Sequence, residues 1–169
     1  LLLTCLNLLA QSTFVFLGSF NRDKTKEGIY VYQLDTIKGK LTKITAVKNI
    51  LNPSFLTVSA DGKYVFACTE SKTKNAGGVS SFNFDPENKS LKFINSQKSG
   101  CENPVYLTVH KNGKWLINGN YTEGSISVYP LSEEGRIEPM VQNFHFEEGS
   151  IDKNRQDRSH VHSVVFSPN

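Results

Sequence analysis

The residues between Asp152 and His162 contain the densest concentration of groups able to do chemistry. Two arginines, Arg155 and Arg158, are followed by the histidines His160 and His162, two positions apart. In an extended segment such side chains point to the same side of the backbone. Imidazole is an effective general base near neutral pH, and guanidinium groups hold a phosphate or carboxylate through paired hydrogen bonds. One interpretation is therefore an acid–base site for an anionic small molecule.

Two other interpretations of the same residues stay open at this point. A solvated charged loop, followed by a strand histidine with an ordinary hydrogen-bond partner, explains the string without any chemistry. A His-x-His pair is also a metal-ligand spacing. No carboxylate or third histidine is fixed beside the pair by the sequence, so we predict neither a metal nor another cofactor.

An internal repeat indicates which elements would position these residues. The stretch from Asn52 to Lys63 returns from Asn103 to Lys114, at an offset of 51 residues, and a third copy begins at His162. A repeat of about 50 residues built from short strands indicates a β-propeller, in which each repeat forms one four-stranded blade. We therefore predict an all-β fold in which this chain is an N-terminal fragment of about three blades and the start of a fourth.

The repeat boundaries divide the chain into blades after residue 10. We predict a first blade without its first strand over 11–50, a second blade over 51–100, a third over 101–150 and the start of a fourth over 151–169. The expected strands of the second and third blades are 53–59, 63–69, 78–84, 90–96, 104–110, 114–119, 124–131 and 135–144.

Topology sorts the connecting loops onto two faces of the ring. Loops after first and third strands share one face and are short hairpins such as Asp61-Gly62, where glycine tolerates the positive φ of a tight turn. Loops after second and fourth strands form the other face, here named the long-loop face, and irregular loops of this kind carry function more often. Glu70, Asn120 and Tyr121 fall there as further candidates for binding a substrate. Solvation of Glu70 and packing of Asn120 and Tyr121 between blades are the alternatives.

Composition is that of an ordinary globular protein, and the net charge argues against nucleic-acid binding. A hydrophobic content of 38% and a charged content of 21% are ordinary for a soluble globular protein, and a net charge of +3 is too small to indicate nucleic-acid binding. Cys68 lies in an apolar strand, which predicts a buried thiol rather than half of a disulfide.

The apolar segment Leu1–Ala10 is too short to span a bilayer. It has the character of a secretory signal core, with cleavage expected between Ala10 and Gln11. An ordinary N-terminal strand is the alternative. The first interpretation predicts a periplasmic or envelope-associated protein, and the second a cytoplasmic one.

In the histidine segment and in the repeats, the chain resembles the lactonase family of seven-bladed β-propellers, which includes bacterial 6-phosphogluconolactonase and fungal carboxy-muconate cycloisomerase. The segment His160-Val161-His162-Ser163 is similar to the family's Pro-His-x-His-Ser segment, with Ser159 in place of the proline. The other matching stretches are 28–32, 52–56, 61–66, 120–121 and 124–131.

The resemblance implies a seven-bladed ring that hydrolyses a sugar δ-lactone, without a required metal. By position His162 matches the proposed active-site histidine of the family, whose arginine and glutamate partners come from later blades. We therefore expect hydrolysis of 6-phosphogluconolactone to 6-phosphogluconate, with His162 activating water, His160 assisting, and Arg155 or Arg158 holding the anion. A non-catalytic propeller that binds a partner or ligand on its long-loop face is the competing interpretation.

The leader hypothesis predicts the N terminus of the native protein. Edman or mass-spectrometric sequencing of protein isolated from its source is expected to begin at Gln11, because signal cleavage follows Ala10. A native protein that retains Leu1–Ala10 would contradict export by this segment.

Overall fold

A computed structural model describes residues 12–71 and 76–168 of the chain. The predicted leader Leu1–Ala10 lies outside the described residues. Every regular element in the described ranges is a β-strand, which confirms the all-β prediction. Among these residues there is no helix long and apolar enough to cross a membrane.

The strands of the described part form three antiparallel sheets, each a meander with neighbours in chain order. The first sheet contains β1 (Thr13–Gly18), β2 (Ile29–Asp35) and β3 (Lys40–Val47). The second contains β4 (Pro53–Val58), β5 (Tyr64–Thr69), β6 (Gly78–Asp85) and β7 (Ser90–Lys98). The third contains β8 (Pro104–Val109), β9 (Trp115–Asn120), β10 (Ser125–Pro130) and β11 (Gln142–His145).

The expected strands agree with the structure except at one place. The strand predicted over 135–144 is wrong for most of its length, because β11 begins only at Gln142. Pro139 cannot donate to a ladder, and the Asn95 side chain occupies both backbone groups of Ile137, donating to its carbonyl at 2.8 Å and accepting its N–H at 3.0 Å. Residues 160–168 pair with no strand of the described chain.

Two apolar clusters hold the sheets together face to face. One lies between the first and second sheets and includes Val31, Val65 and Phe82. The other lies between the second and third and includes Phe66 and Leu116. Successive residues of β5 therefore enter opposite clusters, which explains why this strand is continuously apolar instead of alternating.

Cys68 of the same strand is a buried free thiol, as predicted. Burial raises the pKa of the Cys68 thiol to about 11. The thiol is therefore protonated at neutral pH and packs as a small apolar group.

A glycine directly before β2, β6 and β10, one in each sheet, leaves room for the chain that continues toward the next sheet. A Cβ on Gly28 would lie 2.6 Å from Ile50, and one on Gly77 would lie 2.5 Å from Pro104. At the aligned position of the third sheet, a Cβ on Gly124 would overlap the carbonyl oxygen of Ser159. The incoming chain can thus pass this close to the sheet only because glycine has no side chain.

A buried polar network joins the second and third sheets. The Tyr129 hydroxyl lies 2.8 Å from the Lys98 carbonyl and 3.1 Å from Asn118 Oδ1. The Asn118 amide donates to Asn120 Oδ1 at 2.9 Å, and the Asn120 amide donates to the Ser99 carbonyl at 3.1 Å. Burial raises the pKa of the Tyr129 phenol, so the hydroxyl stays protonated and available as a donor.

Replacement of Tyr129 by phenylalanine tests this network. Tyr129→Phe leaves the buried Asn118 oxygen and the part-buried Lys98 carbonyl without that donor, and is expected to lower the free energy of unfolding by about 1–2 kcal/mol. Urea unfolding measures the loss. Tyr106→Phe is the control, since the half-buried Tyr106 ring stacks on Phe55 at 4.2 Å and keeps that contact without its hydroxyl. Equal unfolding free energies for the two variants would contradict the role of the Tyr129 hydroxyl.

Candidate functional site

The two histidines lie on a segment that crosses the end of the third sheet. A Cβ on Gly119, in β9, would lie 2.7 Å from the Val161 side chain, and Gly124 leaves space for the Ser159 backbone. These two glycines allow the segment 159–162 to lie directly on the sheet. The close approach places His160 and His162 beside the turn that follows β9.

Tyr121, the first residue of that turn, contacts both imidazoles. The His160 ring stacks on the Tyr121 ring with centroids 4.4 Å apart and planes 10° apart. The His162 ring meets the same ring edge-on, at 4.7 Å and 71°. One aromatic side chain thus brings together the two residues that were predicted to be catalytic.

The hydrogen bonds of His160 fix which of its nitrogens carries a proton. Its Nδ1 lies 2.9 Å from the carbonyl oxygen of Tyr121, and a carbonyl can only accept, so Nδ1 is the donor. Its Nε2 lies 4.0 Å from Asp157 Oδ1, an ion-pair distance rather than a hydrogen bond. The second nitrogen therefore faces the charged residues of the neighbouring loop.

Asp157 also binds one of the predicted anion-binding arginines. Arg158 Nε donates to Asp157 Oδ2 at 2.9 Å. This bond is the largest influence on the Asp157 carboxyl and lowers its pKa, so the group is ionised at neutral pH. A carboxylate bound at Nε fixes the direction of the guanidinium fork while its terminal nitrogens remain available for a ligand.

The loop 148–159 forms the outer wall of a pocket beside the histidines. The loop is closed at its base, where the Ser159 hydroxyl donates to the Glu148 carbonyl at 2.5 Å, and the Ser150 N–H donates to the Gln156 carbonyl at 2.8 Å. The pocket has a volume of about 440 Å³, within the usual size range of small-molecule sites. Its charged and aromatic lining consists of Tyr121, Glu148, Arg155, Arg158, His160 and His162.

The pocket brings together five of the seven residues proposed from the sequence, namely Tyr121, Arg155, Arg158, His160 and His162. Asn120 lies elsewhere, fully buried in the network between the second and third sheets, which agrees with the packing alternative. Glu70 lies at the end of β5, where its N–H donates to the Asn52 carbonyl at 3.0 Å. Neither side chain lines the pocket.

Two residues at the site were not singled out by sequence reasoning. Glu148 contributes to the wall, and no pattern in the sequence marked it. Asp157 had a signal, because an acid directly before an arginine can restrain its neighbour. His160 also stands out in the repeat, because a histidine there replaces the asparagine found in the other two copies, at Asn52 and Asn103.

A larger groove separates the first and second sheets at their outer strands. It has a volume of about 910 Å³ and is lined by Lys24, Lys48, Lys98 and Phe93, among others. Its lining within the described residues contains no histidine and no carboxylate, so it offers no acid–base pair. Over 12–71 and 76–168, no three His, Cys, Asp or Glu side chains are arranged to hold a metal ion.

Comparison with known families gives the site its context. The family model described as "Lactonase, 7-bladed beta-propeller" matches residues 14–169. The chain belongs to the lactonase family of seven-bladed β-propellers. This lactonase-family chain is 37% identical over 153 residues to the 6-phosphogluconolactonase of Formosa agariphila, and 25% identical over 154 residues to that of Bacillus subtilis.

Each of these two alignments covers 90% of this chain and 43% of the relative, so the chain spans less than half the length of the curated relatives it matches. Among solved structures, the periplasmic gluconolactonase PpgL of Pseudomonas aeruginosa is 30% identical, with a TM-score of 0.80. That match covers 92% of this lactonase-family chain and 44% of the PpgL chain.

The close approach at Gly124 gives a prediction for the site. Gly124→Ala is expected to displace the segment 159–162 and to shift the ring C–H signals of His160 and His162 in two-dimensional NMR spectra. Gly113→Ala is the matched control, since Gly113 also has positive φ (71°, against 56° at Gly124) but has no atom within 4 Å of the added Cβ. Strain of the backbone is common to both variants, so shifts of equal size would contradict the contact with Ser159.

Proposed function

We propose that the protein is a lactonase that hydrolyses a sugar δ-lactone, with 6-phosphogluconolactone as substrate and 6-phosphogluconate as product. The observation that carries the proposal is the convergence of two imidazoles and two guanidinium groups on one pocket of about 440 Å³. General bases and anion-binding groups in one cavity are what hydrolysis of an anionic ester requires.

His162 is the general base in this proposal. Its imidazole removes a proton from a water molecule as the water oxygen attacks the lactone carbonyl carbon. The resulting tetrahedral intermediate carries its negative charge on the former carbonyl oxygen. Its collapse breaks the bond between the carbonyl carbon and the ring oxygen, which takes up the proton from His162. The product is the open-chain hydroxy acid.

His160 and the arginines stabilise charge in the same scheme. His160 is held by the Tyr121 carbonyl through Nδ1, and its Nε2 is directed toward the arginine-bearing loop. Arg155 binds the phosphate of the substrate, and Arg158, oriented by Asp157, binds either that phosphate or the developing oxyanion. Glu70 and Asn120 have no direct part in this scheme.

The relatives support the choice of substrate class and of compartment. The Formosa agariphila and Bacillus subtilis relatives are 6-phosphogluconolactonases, and the Pseudomonas aeruginosa neighbour is a periplasmic gluconolactonase. The periplasmic neighbour also supports a periplasmic or envelope-associated location for this protein, as the apolar Leu1–Ala10 segment predicts.

The architecture in this proposal is a ring of seven blades. The three sheets are its first three blades, over 11–50, 51–100 and 101–150, and 151–169 begins the fourth. Coverage of 43% of the relatives' length supports this, because three blades of seven are the same share. Later blades would then supply the further acid–base and anion-binding groups that the family resemblance implies.

Removal of the proposed base tests the reaction. In the full-length protein, His162→Gln is expected to lower kcat for 6-phosphogluconolactone by about 10²-fold or more, because the water is no longer deprotonated. A continuous pH-stat assay, corrected for spontaneous hydrolysis, measures the rate. His110→Gln is the matched control, since His110 follows β8 on the opposite face and packs on Phe166. Full activity in His162→Gln would refute the assignment of the base. Absence of catalysis in the unaltered protein would favour a non-catalytic binding propeller.

The arginine assignment predicts how the site distinguishes substrates. Arg155→Ala is expected to raise KM for 6-phosphogluconolactone about tenfold or more while changing KM for unphosphorylated glucono-δ-lactone little, because only the first substrate offers a phosphate. The charge changes Asp61→Asn and Glu133→Gln, at hairpins on the opposite face, are expected to leave both KM values unchanged. A rise in KM of equal size for the two lactones would place Arg155 away from the phosphate.

A further inference from the structure

The segment that carries the two imidazoles lies on the third sheet without pairing to a strand of the described chain. Residues 160–168 of the described chain form no strand, and the neighbouring loop 148–159 is exposed over most of its length. General-base catalysis nonetheless needs the imidazole held within a narrow range of positions and directions. Within the described residues, the contacts that orient the two rings are those with Tyr121, in the turn after β9.

Tyr121 is the best-anchored residue that contacts them. Its N–H donates to the Asn103 carbonyl at 2.9 Å, which ties it to the start of β8, and its carbonyl accepts the Gly124 N–H at 3.3 Å. The residue directly follows β9, whose final residue, Asn120, is fully buried. Its backbone is thus held at the end of the third sheet through both its N–H and its carbonyl.

The Tyr121 ring and carbonyl together constrain the two imidazoles in different ways. The parallel stack fixes the plane of the His160 ring, and the bond from Nδ1 to the Tyr121 carbonyl, at 2.9 Å, fixes its rotation within that plane. The edge-on contact restricts the His162 ring on the other side of the same pocket. Ring contacts of this kind are favourable beyond the area that they bury.

We propose that Tyr121 is a positioning residue that orients both imidazoles through the face and edge of its ring, and that it holds His160 as the Nδ1–H tautomer. The proposal rests on the proposed function of the site and replaces a substrate-binding role for the Tyr121 hydroxyl. In the neutral ring, Nε2 of His160 is then the unprotonated nitrogen and faces the pocket.

The repeat shows that the fold does not require an aromatic ring at the position of Tyr121. In the second sheet the residue aligned with Tyr121 is Glu70, whose N–H donates to the Asn52 carbonyl just as that of Tyr121 donates to the Asn103 carbonyl. The same backbone hydrogen bond therefore forms without an aromatic ring at this position. A polar side chain is compatible with the same backbone, which makes Tyr121→Gln a suitable variant.

Kinetic constants of the full-length protein separate positioning from substrate binding. Tyr121→Phe keeps the ring and is expected to retain kcat and KM within about twofold. Tyr121→Leu and Tyr121→Gln remove the ring and are expected to lower kcat about 10- to 100-fold, with a change in KM below about threefold, because the bases are misdirected while the anion-binding groups remain. Tyr106→Leu is the control, since that ring stacks on Phe55 and has a comparable size.

Long-range ¹H–¹⁵N correlation spectra test the same proposal without any turnover. At a pH at which both imidazoles are neutral, His160 is expected to be the Nδ1–H tautomer in the unaltered protein and in Tyr121→Phe. In Tyr121→Leu and Tyr121→Gln it is expected to shift toward the Nε2–H form that a free imidazole side chain prefers in water. Circular dichroism melts show whether each variant is folded, and Tyr121→Gln serves if Tyr121→Leu is not.

The two readouts distinguish failure of this inference from failure of the proposed function. An unaltered protein without lactonase activity refutes the function, and the tautomer of His160 still decides the positioning role. Folded Leu and Gln variants with unchanged kcat and an unchanged tautomer overturn the positioning role while the lactonase stands. A KM that rises equally in Tyr121→Phe and Tyr121→Leu assigns the hydroxyl to the substrate and overturns it as well.

Discussion

The organisation of this chain depends on one steric constraint, which is that each sheet must let the chain entering the next sheet cross close to its own backbone. Gly28, Gly77 and Gly124 meet this requirement at the same position of three successive sheets. A side chain at any of them would meet the incoming segment. Ser159 crosses the third sheet at Gly124, and His160 follows it directly in the chain. The constraint that joins the sheets therefore also determines where the histidines lie.

The contacts between sheets differ at the two junctions, and the difference matters for the site. The first junction is closed by apolar side chains such as Val31 and Phe82. The second adds a polar network around Asn120 and Tyr129, whose buried hydrogen bonds have specific directions as well as strength. Tyr121 follows this network directly in the chain. The junction with the polar network is therefore the one that leads into the residue that both imidazoles contact.

The repeat was enough to predict most of the fold, because turn residues and apolar strands follow from local chemistry. The exception at 135–144 arose from a long-range interaction, the capture of the Ile137 backbone by Asn95. No local pattern encodes that contact.

The candidate site was predictable in composition but not in geometry. The density of histidines and arginines identified the segment, and the two-residue spacing of His160 and His162 predicted that these two side chains share one side of the backbone. The choice between Asn120 and Tyr121, which are neighbours in the chain, could not be made in advance. Adjacent residues at a strand end point in opposite directions, and only the packed structure shows that Asn120 enters the junction whereas Tyr121 enters the pocket.

The central claim is that the pocket beside His160 and His162 is where the substrate binds. A crystal structure of the full-length protein with bound 6-phosphogluconate tests it most directly. We predict density for the sugar acid against His162, with its phosphate at Arg155. A product molecule bound among the hairpins at Asp61-Gly62 and Asn112-Gly113, on the opposite face, would contradict the claim and the assignment of every residue to the site.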